Sequence, residues 1–110
     1  MNKRQNAFSK FFQHHLPIQE QINFTRHLSI TIKAGLPLYE GLKIIKKQTG
    51  SRRFKNILER VIIDVNNRQT LASSLERHAG VFDDFFINII GIGETSGTLA
   101  ENLLYLAEEL

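Results

Sequence analysis

The sequence has 110 residues, of which 42% are hydrophobic and 23% are charged, and it contains no cysteine. This composition is that of a soluble globular domain and excludes a disordered tail. The length excludes a second core of comparable size, and the lack of cysteine excludes a disulfide framework. The lack of cysteine also excludes a thiolate metal site and is compatible with the cytosol.

The formal net charge is +3, but the charges are unevenly distributed along the chain. Residues 1–55 hold eleven Lys and Arg against two Glu, a net charge of +9, whereas residues 56–110 hold three against nine acids, a net charge of −6. Such a division can mark a nucleic-acid surface. In a helical domain it more often means that the two halves attract each other or present opposite faces to partners.

The N-terminal residues 1–16 are expected to form a flexible polar lead-in, because Lys3, Arg4 and Lys10 are not followed by the apolar block of a signal peptide. The longest uncharged run within a strongly apolar stretch is 85–93, far short of the roughly 20 residues that cross a bilayer. We therefore expect a soluble domain over residues 17–110.

Apolar residues recur at steps of three and four almost throughout this range, which predicts an all-α fold, a compact six-helix bundle of short antiparallel helices. The first predicted helix covers residues 18–34 and is followed by Gly35, which suits a left-handed cap. The second begins at Pro37 in its first turn and ends near Gly50. It is expected to bury Leu38, Leu42 and Ile45.

The third predicted helix carries the clearest apolar stripe, formed by Phe54, Ile57, Leu58, Val61, Ile62 and Val65. The fourth is short, with Thr70 as its N-cap, Leu71 and Leu75 as core residues and Gly80 as its stop. The fifth follows Asp83, another N-cap candidate. Its expected core positions are Phe82, Phe85, Phe86, Ile89 and Ile90.

The sixth predicted helix starts at Thr98, and the spacing of Thr98 and Glu101 is that of a capping box. Its apolar stripe consists of Leu99, Leu103, Leu106 and Leu110. Because that stripe still runs at the last residue, we expect Leu110 to be a cut end or the edge of a domain in a longer chain.

No pattern predicts catalysis, a cofactor or a metal. The histidines show no His-x-x-x-His spacing, and neither a Gly-x-Ser-x-Gly elbow nor a Cys–His pair is present. The four histidines are His14, His15, His27 and His78.

The glycine-rich segment 91–97 fails as a phosphate loop, because it ends a helix, has no lysine and carries Glu94, which would repel a phosphate. The alternative is architectural. Gly91 and Gly93 would let a neighbouring helix approach closely, and Gly97 would take a left-handed turn. Glu94 is expected either to accept backbone N–H groups at the turn or to meet a basic residue of another helix.

Several segments together resemble the F domain of type II secretion and its counterpart in type IV pilus assembly, the GspF/PilC family. They are Phe24-x-x-His27-Leu28, Ala34-Gly35-Leu36-Pro37-Leu38-x-Glu40-Gly41-Leu42, Thr70-Leu71-x-x-Ser74-Leu75, Phe82 and Gly93-Glu94-Thr95-Ser96-Gly97-Thr98-Leu99 with Leu103. The resemblance covers residues 17–110. The residues that we take as the family signature are Gly35, Pro37, Gly93, Glu94, Ser96, Gly97 and Leu99.

The resemblance implies a six-helix domain on the cytoplasmic face of the bacterial inner membrane, the first of two related domains in a membrane-spanning platform protein. Such a protein has no catalytic activity and no cofactor, and it passes motion from a hexameric cytoplasmic ATPase to pilin-like subunits. The sequence departs from the family pattern at Arg68, where the family usually has glycine, and at Ala79 and Asp83, near which the family usually has prolines.

The leading hypothesis is thus a scaffold domain that contacts the ATPase and other platform components. A basic corner between the second and third helices is its expected contact surface, formed by Lys43, Lys46, Lys47, Arg52, Arg53 and Lys55. A merely solvated corner is the plain alternative. The runner-up function is a basic helical nucleic-acid-binding module that uses the same corner, and self-association as a homodimer or larger assembly is compatible with the first hypothesis.

Overall fold

The computed structural model describes residues 15–78 and 80–110. Within these residues all regular structure is helical, which confirms the all-α prediction. The helices are α1 (Ile18–Lys33), α2 (Leu38–Gln48), α3 (Arg52–Asn66), α4 (Leu71–Glu76), α5 (Asp84–Ser96) and α6 (Leu99–Glu109). In the part of the chain that the structure describes, none of these helices combines the length and apolar character that a membrane crossing requires.

The helices form a ring in which each packs against its neighbours in the chain, and α1 closes the ring by packing against α6. The α1–α6 contact contains a buried hydrogen bond, in which the Ser29 hydroxyl donates to the carbonyl oxygen of Ala100 at 2.7 Å. A buried hydroxyl is tolerated only with a partner, so this bond fixes the register of the first and last helices.

An aromatic cluster lies at the centre of the ring. The Phe24 ring meets Phe54 edge-on at 5.4 Å between centroids, and Phe82 stacks on Phe86 at 4.9 Å. Phe24 also lies 6.4 Å from Phe86, so the cluster joins α1, α3 and α5. Such ring geometries add to the free energy gained from burying the apolar surface.

Side-chain caps start three of the helices. Thr70 and Asp83 accept hydrogen bonds from the backbone N–H groups of Ser73 and Phe86, at 3.0 and 2.8 Å, as the sequence predicts. Ser51, which the sequence analysis did not single out, caps α3 in the same way. These bonds satisfy N–H groups that have no partner inside the helix.

The predicted capping box at Thr98 is wrong. Thr98 makes no side-chain cap, and its ψ of 31° departs from the extended conformation of a capping residue. The physical reason is the preceding turn, because the Thr98 N–H donates to the carbonyl oxygen of Gly93 and keeps Thr98 inside that turn.

Two helix boundaries also differ from the prediction. Pro37 precedes α2 instead of lying in its first turn, and α4 ends at Glu76, before Gly80.

Two residues, one predicted at a core position and one at the end of an apolar stripe, are exposed. Phe85 is 53% exposed and Leu110 is 36% exposed. The buried side of α5 is formed by Phe86, Ile87 and Ile90, which turns Phe85 toward solvent, and Leu110 follows the end of α6.

Leu16 lies inside the core rather than in a lead-in, with only 2% of its surface exposed. Its N–H donates to the carbonyl oxygen of Val81 at 3.2 Å, and its carbonyl accepts from the Gln21 side chain at 2.7 Å. The predicted lead-in therefore includes at least one core residue. Residues 1–14 lie outside the described residues, as does Ala79.

Arg68 lies between α3 and α4 with a φ of +67°, the left-handed region that otherwise contains Gly35, Gly80 and Gly97 among the described residues. Side chains with a Cβ rarely adopt this conformation. The glycine that the family resemblance predicts here would therefore suit this backbone conformation.

We expect Arg68→Gly to stabilise the domain by about 0.5–1 kcal/mol, because relief of the left-handed strain exceeds the entropy that glycine adds to the unfolded chain. Urea unfolding of the two proteins measures the difference. The matched control is Asn67→Gly, where φ is −90° and glycine relieves nothing, so stability should fall. Equal effects at the two positions would contradict the assignment of strain to Arg68.

Candidate functional site

The family signature is centred on the turn between α5 and α6, residues 93–99, which we call the signature turn. Gly97 takes the left-handed conformation there, with φ of +72°, as predicted. A methyl group built on Gly93 would lie 2.9 Å from the Cα of Leu99 and 3.1 Å from the Cβ of Asn102. Gly93 is thus what lets α5 and α6 approach so closely. The Asn102 side chain fastens the pair by donating to the carbonyl oxygen of Ile89 at 2.9 Å.

Glu94 binds the start of α4. Its two carboxylate oxygens accept hydrogen bonds from the backbone N–H groups of Leu71 and Ala72, at 2.7 and 2.9 Å. The first N–H groups of a helix lack internal partners and carry partial positive charge, so a carboxylate is well suited to them. Of the two expected roles, Glu94 takes backbone amides, but they belong to another helix and not to its own turn.

The remaining signature residues lie in two places. One is the turn that follows α1, and the other is the connection from the end of α5 to the start of α6. Gly35 has a φ of +91° and follows the C-terminus of α1. There the Leu36 N–H donates to the carbonyl oxygen of Thr31. Pro37 follows and is exposed. Ser96 is exposed at the last residue of α5, and Leu99 packs partly buried against the core.

Two glycines have roles that sequence reasoning assigned differently. Gly91 was expected to allow close helix approach, but a methyl group there would lie 3.5 Å from the Cβ of Ala72, an ordinary contact distance. Gly41, to which the sequence analysis gave no role, lies where a methyl group would meet the Thr31 hydroxyl at 2.5 Å. A glycine inside an otherwise regular helix was the signal that could have identified the tight α1–α2 packing.

The basic corner does not form one uniform cationic surface. Lys46 is paired with Glu59 at 3.1 Å, and the Lys43 ammonium lies 5.0 Å from the centroid of the Tyr39 ring. Lys47, Arg52 and Lys55 are exposed. Arg53 is directed to another side of α3, where its guanidinium donates to the carbonyl oxygen of His15 at 3.4 Å.

A polar cluster joins α3 to α4. Asp64 accepts from the buried hydroxyl of Ser74 at 2.8 Å and lies 3.7 Å from the Arg77 guanidinium. Beside this cluster, burial lowers the pKa of His78. The charge of Asp64 opposes this lowering, and the charge of Arg60 adds to it. Burial therefore favours the uncharged form of the His78 side chain.

The grooves on the surface of the domain are open rather than enclosed. One of about 590 Å³ lies beside the signature turn and is lined by Ile32 and Lys33 of α1 together with Leu99 and Glu101 of α6. Among residues 15–78 and 80–110, no group of three or more His, Asp or Glu side chains is placed to hold a metal ion. The geometry of the signature turn is that of a fastening between helices.

We expect Gly93→Ala to destabilise the domain by about 1–3 kcal/mol, because the added methyl group collides with the backbone of α6. Gly91→Ala, two residues earlier in the same helix, is the control and should be neutral or stabilising by about 0.5–1 kcal/mol through higher helix propensity. Thermal and urea unfolding measure both variants. Similar losses at the two positions would show that close packing at Gly93 is not the cause.

We expect Glu94→Ala to cost about 1–3 kcal/mol, since it leaves two partly buried N–H groups of α4 without an acceptor. Glu94→Gln keeps one acceptor oxygen and should lose less. Glu108→Gln removes an exposed carboxylate and serves as the control for charge alone. Hydrogen exchange of the Leu71 and Ala72 amides should accelerate in Glu94→Ala beyond the change in global stability, and unchanged local protection would contradict the capping role.

Comparisons with known proteins bear out the family resemblance of the sequence. A family model described as Type II secretion system (T2SS), protein F matches residues 24–110. The chain is 37% identical over 76 residues to the type IV pilus assembly protein PilC of Thermus thermophilus, covering 69% of this chain and 18% of the relative. It is 36% identical over 84 residues to the type 4 fimbrial assembly protein PilC of Pseudomonas putida, covering 76% of this chain and 21% of the relative.

A third relative is the type II secretion system protein F of Vibrio cholerae, with 34% identity over 84 residues, 76% of this chain and 21% of the relative. The chain thus spans about a fifth of the length of these curated relatives. The matched range 24–110 contains Gly93 and Glu94, whose packing and capping contacts connect α5 to α6 and to α4. This chain therefore belongs to the type II secretion system protein F family.

Proposed function

We propose that this chain is a cytoplasmic domain of an inner-membrane platform protein that serves a type II secretion or type IV pilus assembly machine. In this role it is a non-catalytic scaffold that couples a cytoplasmic assembly ATPase to the assembly of pilin or pseudopilin subunits. Membrane attachment would come from segments outside this chain, and a second related domain would follow. Family membership and the names of the relatives support the machine class.

The observation that carries the proposal is that the signature residues connect helices to one another. Gly93 brings α5 against α6, and Glu94 ties the same turn to α4. A displacement applied to α4 is therefore transmitted to α5 and α6 through short, charge-assisted hydrogen bonds and close packing. A domain that relays motion needs such internal connections more than it needs a pocket.

The exposed cations of the basic corner are the proposed contact for the ATPase. Lys47 and Lys55 are exposed on α2 and α3, and Lys43 contacts the Tyr39 ring, one turn earlier on α2. Positive charge at the rim of an interface steers an acidic partner and adds specificity more than it adds affinity. The proposed contact surface on the ATPase is therefore acidic.

The test reverses two charges in the full-length protein that contains this domain. We expect Lys47→Glu combined with Lys55→Glu to weaken binding to the assembly ATPase by about tenfold or more. Pilus assembly or secretion should fall accordingly, while the purified variant domain keeps its helical circular dichroism spectrum. Binding is measured by titration with the purified ATPase, and function by pilus or secreted-protein yield in cells.

The matched control is Arg26→Glu combined with Arg68→Glu, because both residues are exposed outside the basic corner. Equal losses in the two double variants would remove the basic corner from the proposal. Normal assembly by a full-length protein that lacks residues 17–110 would overturn the scaffold function itself. Loss of a salt-sensitive DNA gel shift in Lys47→Glu with Lys55→Glu, with assembly intact, would favour the nucleic-acid-binding module instead.

A further inference from the structure

The outer side of α5 carries two large apolar side chains in contact with solvent. Phe85 is 53% exposed and Ile92 is 55% exposed. They are seven residues apart, so they lie on the same side of the helix, two turns and about 10 Å from each other. Asn88, which is uncharged, lies exposed between them, and we call these three residues the α5 stripe. Exposed apolar side chains grouped in this way are typical of a surface that another protein covers.

An open groove lies beside the α5 stripe, between α4 and α5. It has a volume of about 440 Å³, and its lining includes Ala72, Ile87 and Gly91. A methyl group built on Gly91 would lie at an ordinary contact distance of 3.5 Å from the Cβ of Ala72, so these small residues leave space between the two helices. The groove can therefore receive a side chain from outside the domain.

The charged side chains around the stripe and the groove are acidic. Asp84 lies in the first turn of α5, Glu76 lines the groove, and both are exposed. Residues 78–110 include six Asp and Glu and no Lys or Arg. Arg77, the last cation before them in the sequence, lies 3.7 Å from Asp64 of α3. The surface around the α5 stripe is therefore opposite in charge to the basic corner.

We infer that the α5 stripe and the groove bind a basic amphipathic helix of another protein. Apolar side chains of that helix, spaced by three and four residues, cover Phe85 and Ile92 and enter the groove, which is how amphipathic helices dock on apolar surfaces. Its Lys and Arg side chains lie beside Glu76 and Asp84, where unlike charges steer the encounter and fix the register.

Charge argues against other occupants of this face. A second copy related by a two-fold axis would bring the acidic surface against itself, and like charges across an interface cost free energy. Nucleic acid and an anionic lipid surface carry negative charge and would also be repelled. Because the stripe lies on α5 and the basic corner lies on α2 and α3, the inference does not depend on the proposed ATPase contact.

The test uses two synthetic helical peptides of about 15 residues as probes. Both have leucine at steps of three and four, and the other positions are lysine in one peptide and glutamate in the second. In NMR titrations of the full 110-residue chain, the leucine–lysine peptide should shift the backbone amide signals of residues 72–76 and 84–92. The leucine–glutamate peptide should leave those signals unchanged. Equal binding of the two peptides there, or no shift with either, would overturn the inference.

Substitution of Ile92 tests the apolar contact. We expect Ile92→Ser to weaken binding of the leucine–lysine peptide by about tenfold, because it removes one of the two exposed apolar side chains of the stripe. The matched control is Ile63→Ser, which removes an isoleucine that is 51% exposed on α3 and should leave the affinity unchanged. Equal losses in the two variants would show that the peptide binds without using the α5 stripe, which contradicts the inference.

Neutralising the acidic side chains tests the charge complementarity. Glu76→Gln combined with Asp84→Asn should weaken binding of the same peptide by about tenfold and reduce its salt dependence. The control, Glu108→Gln combined with Glu109→Gln, removes two exposed carboxylates of α6 and should have a smaller effect. Equal effects of the two pairs would overturn the assigned position of the basic side chains.

The occupant is tested by concentrating the chain without any peptide. If the amide signals of residues 84–92 then shift as they do with the leucine–lysine peptide, a second copy covers the stripe and the inference is wrong. Because all of these measurements use the purified chain and synthetic peptides, their failure would leave the proposed scaffold function standing.

Discussion

The arrangement of this domain depends on the carboxylate of Glu94, which holds the first N–H groups of α4 from a position on α5. The helix that it caps has only six residues, Leu71–Glu76, and so few residues form a marginal helix by themselves. With both oxygens engaged, Glu94 fixes where α4 begins and how it lies against α5. The Asp64–Ser74 hydrogen bond then ties the same short helix to α3.

These connections make the ring of helices continuous. Each helix packs on its neighbours in the chain, and the Ser29 hydroxyl closes the ring at the carbonyl of Ala100. Close packing of this kind shifts as a unit, because cores have few voids into which side chains could relax. The ring also separates the charges, since α2 and α3 carry most of the described cations while α5 and α6 carry acids and no Lys or Arg.

The signature therefore marks structural roles. In Gly-Glu-x-Ser-Gly, the first glycine removes a collision with α6, the glutamate caps α4, and the last glycine supplies the left-handed turn. None of these roles requires a substrate. At Arg68 the chain accepts a left-handed arginine, where the family resemblance predicts glycine. The ring structure around that turn holds the conformation in place.

Hydrophobic periodicity alone predicted six helices and no strand, as the structure has them in residues 15–78 and 80–110, since spacing at three and four residues is a local property of the sequence. The residue types at the helix starts likewise identified the caps at Thr70 and Asp83, because a cap acts within one turn. Only the tertiary structure decided which face of α5 is buried, why Thr98 does not cap, and that Leu16 belongs to the core. It also decided the partner of Glu94, 23 residues earlier in the chain, since contacts between distant segments depend on how the helices pack.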